Sequence, residues 1–200
     1  MNILFTLNDA FVPQVATCMC SIFENNKSAE NITVYLIGER INQENQDKLK
    51  GFAKSYDRKV CIISINNIAD YIDFDFDTNG WSSIILARLF LDKLLPQEVD
   101  RILYLDGDTL VLEDIGSLFY SDLGDKVIGM CPEPTVDKSR KEFLALKEHP
   151  YHNSGVLLID LKKWRKEEIG KKVIEFYQFH EGKLFAPDQD ALNGALKEQI

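Results

Sequence analysis

Arg101-Ile102-Leu103-Tyr104-Leu105-Asp106-Gly107-Asp108 is the stretch on which the fold turns. Four apolar residues in a row read as a strand buried on both faces, the habit of a central strand in a parallel sheet. The strand runs directly into two carboxylates with a glycine between them. In open α/β sheets, ligands bind beyond the carboxyl ends of the strands. Residues at i and i+2 of a strand point to the same side, and Gly107 lets the chain bend. The pattern predicts that Asp106 and Asp108 reach one divalent cation. Oxygen-only donors suit Mg²⁺ or Mn²⁺, which keep positions open for substrate phosphates. The competing reading is a polar turn, since Asp-Gly is a common turn signal. Thr109–Leu112 reads as extended beyond it, which argues against a simple turn.

Outward from this stretch, strands and helices alternate. Asn2–Thr6 reads as a short buried strand, and Val12–Asn25 as a helix with Val15, Met19, Ile22 and Phe23 at helical spacing. Thr33–Ile37 and Lys59–Ile65 read as strands and Gln43–Tyr56 as a helix between them. This β-α-β-α-β order points to a parallel sheet covered by helices. Residues 66–80 hold Asp70, Asp73, Asp75 and Asp77 among aromatics and read as a loop or short helix, too aromatic for a linker. Helices are expected at Ser82–Leu95, Leu161–His180 and Asp188–Lys197, and strands at Val127–Cys131 and Ser154–Ile159. No repeat or domain boundary interrupts residues 1–200, which read as a single α/β domain.

Composition sets the outer limits. The 200 residues are 45% hydrophobic and 28% charged, ordinary for a soluble globular protein. A net charge of −9, from 23 Lys+Arg against 32 Asp+Glu, argues against a nucleic-acid binder held by a basic surface. Cys18, Cys20, Cys61 and Cys131 form no C-x-x-C pair and no zinc spacing, and read as buried free thiols of a reducing, cytoplasmic compartment. No signal peptide opens the chain and no apolar run reaches the roughly 20 residues of a membrane span. The chain stops at Leu196-Lys-Glu-Gln-Ile200 inside an amphipathic pattern with no Gly or Pro stop, which reads as a truncation.

Two more stretches carry chemistry. His152-Asn153-Ser154-Gly155 precedes an apolar strand. Asn153 can donate to and accept from a hydroxyl-rich ligand, and Gly155 permits close backbone approach. Pro187-Asp188-Gln189-Asp190 opens a helix, where an acid is ordinary capping, but Asp188 and Gln189 can also face a sugar.

In combination these residues resemble glycosyltransferase family 8, the retaining sugar transferases that include bacterial lipopolysaccharide galactosyl- and glucosyltransferases and glycogenin. The resemblance rests on Ala87-Arg88-Leu89, Leu105–Asp108, the string Asn153–Arg165 and the string Asp188–Asn193. It implies a GT-A fold, a Rossmann-like α/β arrangement with a mostly parallel central sheet and helices on both faces. It also implies a UDP-glucose or UDP-galactose donor, Mn²⁺ with Mg²⁺ as the alternative, and a glycan or lipid-linked saccharide acceptor such as lipopolysaccharide. By resemblance, Asp106 and Asp108 would hold the metal, with Asp106 and Gly107 against the donor. Thr6, Asn8 and Asp9 would lie near uracil and ribose. Arg88 would hold the donor, and Asn153, Ser154 and Gly155 would contact the transferred sugar. Asp188 and Gln189 would be the catalytic pair. The chain departs from the family at Ala10, where an Asn is usual, and at His152, where an aromatic is usual. A His-x-x-Gly-x-x-Lys motif that supplies the family's third metal ligand lies outside the 200 residues, as does the tail that docks some members on membranes. A non-catalytic UDP-sugar-binding module is the alternative. A sugar-nucleotide pyrophosphorylase fits poorly, because Asn8-Asp9-Ala10-Phe11 is not a phosphate-cradling Gly-rich loop.

Overall fold

A computed structural model describes residues 1–200. Six strands, β1 (Asn2–Asn8), β2 (Thr33–Glu39), β3 (Lys59–Ile65), β4 (Arg101–Leu105), β5 (Ile128–Pro132) and β6 (His152–Asp160), form one sheet in the order β3-β2-β1-β4-β6-β5. β1 pairs in parallel with β2 and β4, and β2 with β3. β6 is reversed: it pairs antiparallel with β4, from Arg101↔Asp160 to Leu105↔Val156, and with β5. The parallel arrangement expected from the β-α-β-α-β reading is present in β1, β2 and β3, and the whole sheet is the mostly parallel one that the family resemblance implies.

The sheet is apolar on both faces because alternate residues of a strand point opposite ways. Ile3, Phe5 and Leu7 of β1 join one core, and Leu4 joins the other. The first core is closed by α1 (Val12–Asn25) and α2 (Gln43–Ser55). On α1 the buried residues Val12, Val15, Cys18, Met19, Ile22 and Phe23 make one helical stripe. Asn42 caps α2 by accepting from the Asn45 amide at 2.8 Å. The second core is closed by a 3₁₀ segment (Ser83–Leu89), α3 (Leu91–Leu94), α6 (Leu161–Lys166), α7 (Ile169–Phe179) and α8 (Pro187–Leu196); α4 (Gly116–Phe119) and α5 (Lys138–Phe143) are short surface helices.

Several expectations are corrected. The single helix expected over Ser82–Leu95 is a 3₁₀ segment, a break at Phe90, and α3. Ile84, Leu86, Ala87, Arg88 and Leu89 are all buried there, so no one-sided amphipathic pattern holds a regular α-helix. The helix expected over Leu161–His180 breaks at Glu168, which is left-handed at φ 52°. The break brings Gly170 against α3, where a Cβ would lie 2.5 Å from Asp92 Oδ1 and 3.0 Å from the Leu89 carbonyl. Thr109–Leu112 joins no strand of the sheet, and a turn precedes it: the Thr109 amide donates to the Asp106 carbonyl at 3.2 Å. Of the four free thiols only Cys18 is buried; Cys20 and Cys61 are half-buried, and Cys131, on edge strand β5, is exposed. After α8 the chain runs along β5, where the Gln199 carbonyl accepts from the amides of Val127 and Ile128. No helix is long and apolar enough to cross a membrane.

Candidate active site

The reversal of β6 builds the site. Parallel strands β1 and β4 deliver their carboxyl ends, Asn8 and Asp106, to one edge of the sheet. Antiparallel β6 delivers its start, Asn153 and Ser154, to the same edge. The first turn of α8 adds Asp188 and Gln189, and the 3₁₀ segment adds Arg88. These residues and Asp108 line one cavity of about 420 Å³, with Phe11, Ile84, Ile85 and Trp81 as its apolar wall. Trp81 is 61% exposed.

Arg88 sits at the centre, 4% exposed. Its guanidinium meets Asp106 Oδ1 at 3.0 Å and Asp188 Oδ2 at 3.2 Å, and donates to the Ser154 carbonyl at 2.9 Å. It also lies 4.0 Å over the Tyr104 ring. Burial opposes the charge on Arg88, but Tyr104, Asp188 and Asp106 more than offset this and hold its pKa above the ordinary arginine value. Tyr104 donates to Asp106 Oδ1 at 2.6 Å, and burial raises its pKa well above the usual phenol range, so it remains a donor. Asp106 Oδ1 thus has two partners, which leaves Oδ2 for a further one. Asp188 Oδ2 also accepts from the Ser154 hydroxyl at 3.0 Å. Gln189 Oε1 accepts from the Ser154 amide at 2.9 Å.

Asp106 and Asp108 both line the cavity, but they reach it from a turn rather than from a continuing strand, so the i and i+2 spacing of an extended chain is not what brings them together. The glycines are explained by sterics. A Cβ on Gly107 would lie 2.6 Å from Val15 Cγ2 and 3.1 Å from Phe11. A Cβ on Gly155 would lie 2.8 Å from Asp106 Oδ2 and 2.9 Å from Asn153 Oδ1. The close approach that Gly155 permits is that of the Asp106 carboxylate.

Thr6 and Asp9 stand apart from the cavity wall. Thr6 is buried, its hydroxyl 3.3 Å from that of Tyr104. Asp9 accepts from the Asn42 amide (2.9 Å), Asn45 Nδ2 (2.9 Å) and Asn42 Nδ2 (2.8 Å), and these bonds, the Asn42 amide first, hold its pKa below the usual carboxylate value. It ties the turn after β1 to the start of α2. Asn8 does line the cavity, and its Oδ1 is buried with no hydrogen-bond partner, an acceptor awaiting a donor. His152 packs on Asn193, its Nδ1 at 3.3 Å from Asn193 Oδ1, and is not among the residues that line the cavity.

Sequence reading missed Tyr104 and Tyr151. Tyr104 sits in an apolar run, where an aromatic reads as core, and Tyr151 follows Pro150 with no pattern of its own; their hydroxyls donate to Asp106 and Asp190. It also missed Asp190 and Arg140, which pair at 2.7 Å beneath Gln189. The one signal for Asp190 was its place beside Asp188-Gln189.

The donor set Asp106 and Asp108 has the hard oxygen chemistry that Mg²⁺ and Mn²⁺ favour, with positions left for ligand oxygens. No third His, Cys, Asp or Glu gathers with them into a metal-ligating group.

Residues 2–200 match the family model described as Glycosyl transferase family 8. The chain is 29% identical to a "Putative glycosyltransferase" of Haemophilus influenzae, covering 100% of this chain and 60% of that protein. It is 27% identical to the "Lipopolysaccharide 1,2-glucosyltransferase" of Escherichia coli K12, covering 98% of this chain and 58% of that protein. It thus spans about 60% of the length of those relatives. Among solved structures, galactosyltransferase LgtC in complex with donor and acceptor sugar analogues superposes with a TM-score of 0.89 at 27% identity, over 100% of this chain and 72% of that one. That agreement in fold makes the reversed β6 and the acid-rich sheet edge features of a GT-A architecture, and with a family match running almost end to end, the chain belongs to glycosyl transferase family 8.

Proposed function

We propose that the cavity binds a UDP-hexose and a divalent cation, and that the chain transfers the hexose to a saccharide acceptor with retention of configuration. The observation that carries this is the composition of the cavity walls. Two hard carboxylates, Asp106 and Asp108, share it with a sugar-type set of amide, hydroxyl and carboxylate groups, Asn153, Ser154, Asp188 and Gln189. The orphaned Asn8 Oδ1 is matched by an N–H donor of the kind uracil presents. Relatives named for glucosyl and galactosyl transfer support a hexose and leave both donors in play.

Asp106 Oδ2 and Asp108 would hold Mn²⁺ or Mg²⁺ together with diphosphate oxygens. The cation would supply Lewis-acid neutralisation of charge on the departing diphosphate. Arg88 keeps Asp106 and Asp188 in place, and its fixed positive charge also favours an anionic donor. Asp188 has Oδ2 committed to Arg88 and the Ser154 hydroxyl, so Oδ1 is the atom it offers to sugar hydroxyls. Gln189, an amide, is a weak nucleophile, and its oxygen already accepts from Ser154. This arrangement favours a role for Gln189 in stabilising positive charge at the sugar carbon over covalent attack. A UDP-sugar-binding module without turnover is a second reading, favoured by a set of two carboxylates rather than three ligands.

Isothermal titration with UDP, with and without Mn²⁺, tests the reading. Binding is expected to depend on the metal. Asp108→Asn is expected to weaken it about tenfold or more, equivalent to about 1.4 kcal/mol. Metal-independent UDP binding that Asp108→Asn leaves unchanged would refute the assignment. Metal-dependent binding without UDP release from any UDP-hexose would favour the second reading.

A further inference from the structure

Beneath Gln189 lies a chain of side chains that the reaction scheme above does not use. Asp190 is 1% exposed. Its Oδ1 accepts from Arg140 Nε at 2.9 Å and from the Tyr151 hydroxyl at 2.6 Å, and pairs with the other end of the Arg140 guanidinium at 2.7 Å. Its Oδ2 accepts from the Ala186 amide at 3.0 Å. The Tyr151 oxygen in turn accepts from Gln189 Nε2 at 3.0 Å.

We propose that Tyr151, anchored by Asp190 and Arg140, is a positioning residue that clamps one end of the Gln189 carboxamide while the Ser154 amide clamps the other. The argument is one of proton counting. A carboxylate has only acceptors to offer, and a phenol has one proton. The Tyr151 proton is drawn to Asp190, and burial, with Asp190 adding to it, pushes the Tyr151 pKa up, so the proton stays. The phenol oxygen is then left as an acceptor, and only the Nε2 end of a carboxamide can face it. Oε1 must turn to Ser154, where it accepts from the backbone amide at 2.9 Å; the Ser154 hydroxyl has its one proton on Asp188 Oδ2 at 3.0 Å.

The backbone under Gln189 is also held. Asn193 accepts from the His152 amide at 2.7 Å and donates to the carbonyls of His152 and Gln189, each at 2.8 Å. The clamp therefore leaves Gln189 one N–H and one lone pair, in set directions, for a ligand in the cavity. That groups held in place before binding lose less order on binding is general. The inference rests on the proposed reading only for what the ligand is.

The test is the side-chain amide resonance of Gln189 in a ¹H–¹⁵N spectrum, identified by its disappearance in Gln189→Asn. In the wild type its protons are expected to exchange slowly with solvent. In Tyr151→Phe, which removes one oxygen, exchange is expected to accelerate about fivefold or more, the scale of one lost hydrogen bond. The Asn193 amide resonance is expected to stay put, which a general loosening of α8 would not allow. Affinity for UDP is expected to hold within about twofold, while affinity for UDP-hexose falls about threefold to tenfold, as for one hydrogen bond to the sugar. Rapid exchange of the Gln189 amide in the wild type overturns the proposal without any variant. An unchanged Gln189 resonance in Tyr151→Phe overturns it too. Failure of the wild type to bind UDP overturns the functional reading alone, because the exchange rates still decide the clamp.

Discussion

Arg88 shows how much of this site hangs on one side chain. It is buried between Asp106 and Asp188, and Asp188 is itself only 8% exposed at the side chain. Removing one partner of a buried pair leaves the other charge unpaired, at a cost of about 3–5 kcal/mol. Arg88→Met should therefore lower the urea midpoint sharply. Arg88→Lys keeps the charge but cannot bridge Asp106, Asp188 and the Ser154 carbonyl at once, so it should fall between the two. Equal midpoints for wild type and Arg88→Met would mean that the pairing contributes nothing to the fold. At this scale, legibility followed chemistry. Carboxylates, amides and Arg88 were visible in the sequence because polar groups next to apolar runs stand out. Tyr104 was not, because one hydroxyl on an aromatic ring does not change the apolar run in which it sits, and Tyr151 was not, because its partner Asp190 is 39 residues away.

The strands were legible because each has a compact run of β-branched and large apolar residues, as in Arg101–Leu105 and Lys59–Ile65. The helix interruptions at Phe90 and Glu168 were not, because tertiary docking causes them and no Pro lies inside either segment. The turn that follows α7 carries a consequence for the cavity rim. Gly182 adopts φ +65°, and a Cβ there would lie 2.6 Å from Phe76 Cα. Its carbonyl accepts from the Asp77 amide at 2.8 Å, and Asn79 Nδ2 donates to the Phe185 carbonyl at 3.1 Å. These bonds tie the loop bearing Trp81 to the segment that enters α8. Gly182→Ala would impose a left-handed alanine, about 1–2 kcal/mol, plus overpacking of about 1–3 kcal/mol. Thermal unfolding should show a loss of about 2–5 kcal/mol, with weaker UDP binding through a displaced Trp81. A variant as stable as wild type would show that the two loops can part freely.

Across the whole molecule, proton linkage near neutrality has one sign. Burial lowers the pKa of His152, with Asn193 opposing, and burial lowers that of His180, with Asp190 opposing. The unfolded chain then binds more protons than the folded one once pH falls through the ordinary histidine value of about 6.5. The contribution is intact above that value and is lost on acidification toward the lowered values. The amino terminus, lowered by burial and by Arg58, acts with the same sign at higher pH. Urea midpoints should therefore be lower at pH 5.5 than at pH 7.5, and an equal or higher midpoint at pH 5.5 would contradict the linkage. The order of elements also has a consequence in time. Among the strands β5 pairs only with β6, which follows it in the chain, and the cavity brings together Asn8, Arg88, Asp106, Ser154 and Gln189. During synthesis the parallel half of the sheet can gather as it emerges, but its open edge beside β4 must wait for residues 152–160. The cavity has all its walls only once α8 has arrived, so on a ribosome any ligand that needs Asp188 and Gln189 would bind only after residues 187–196 have emerged.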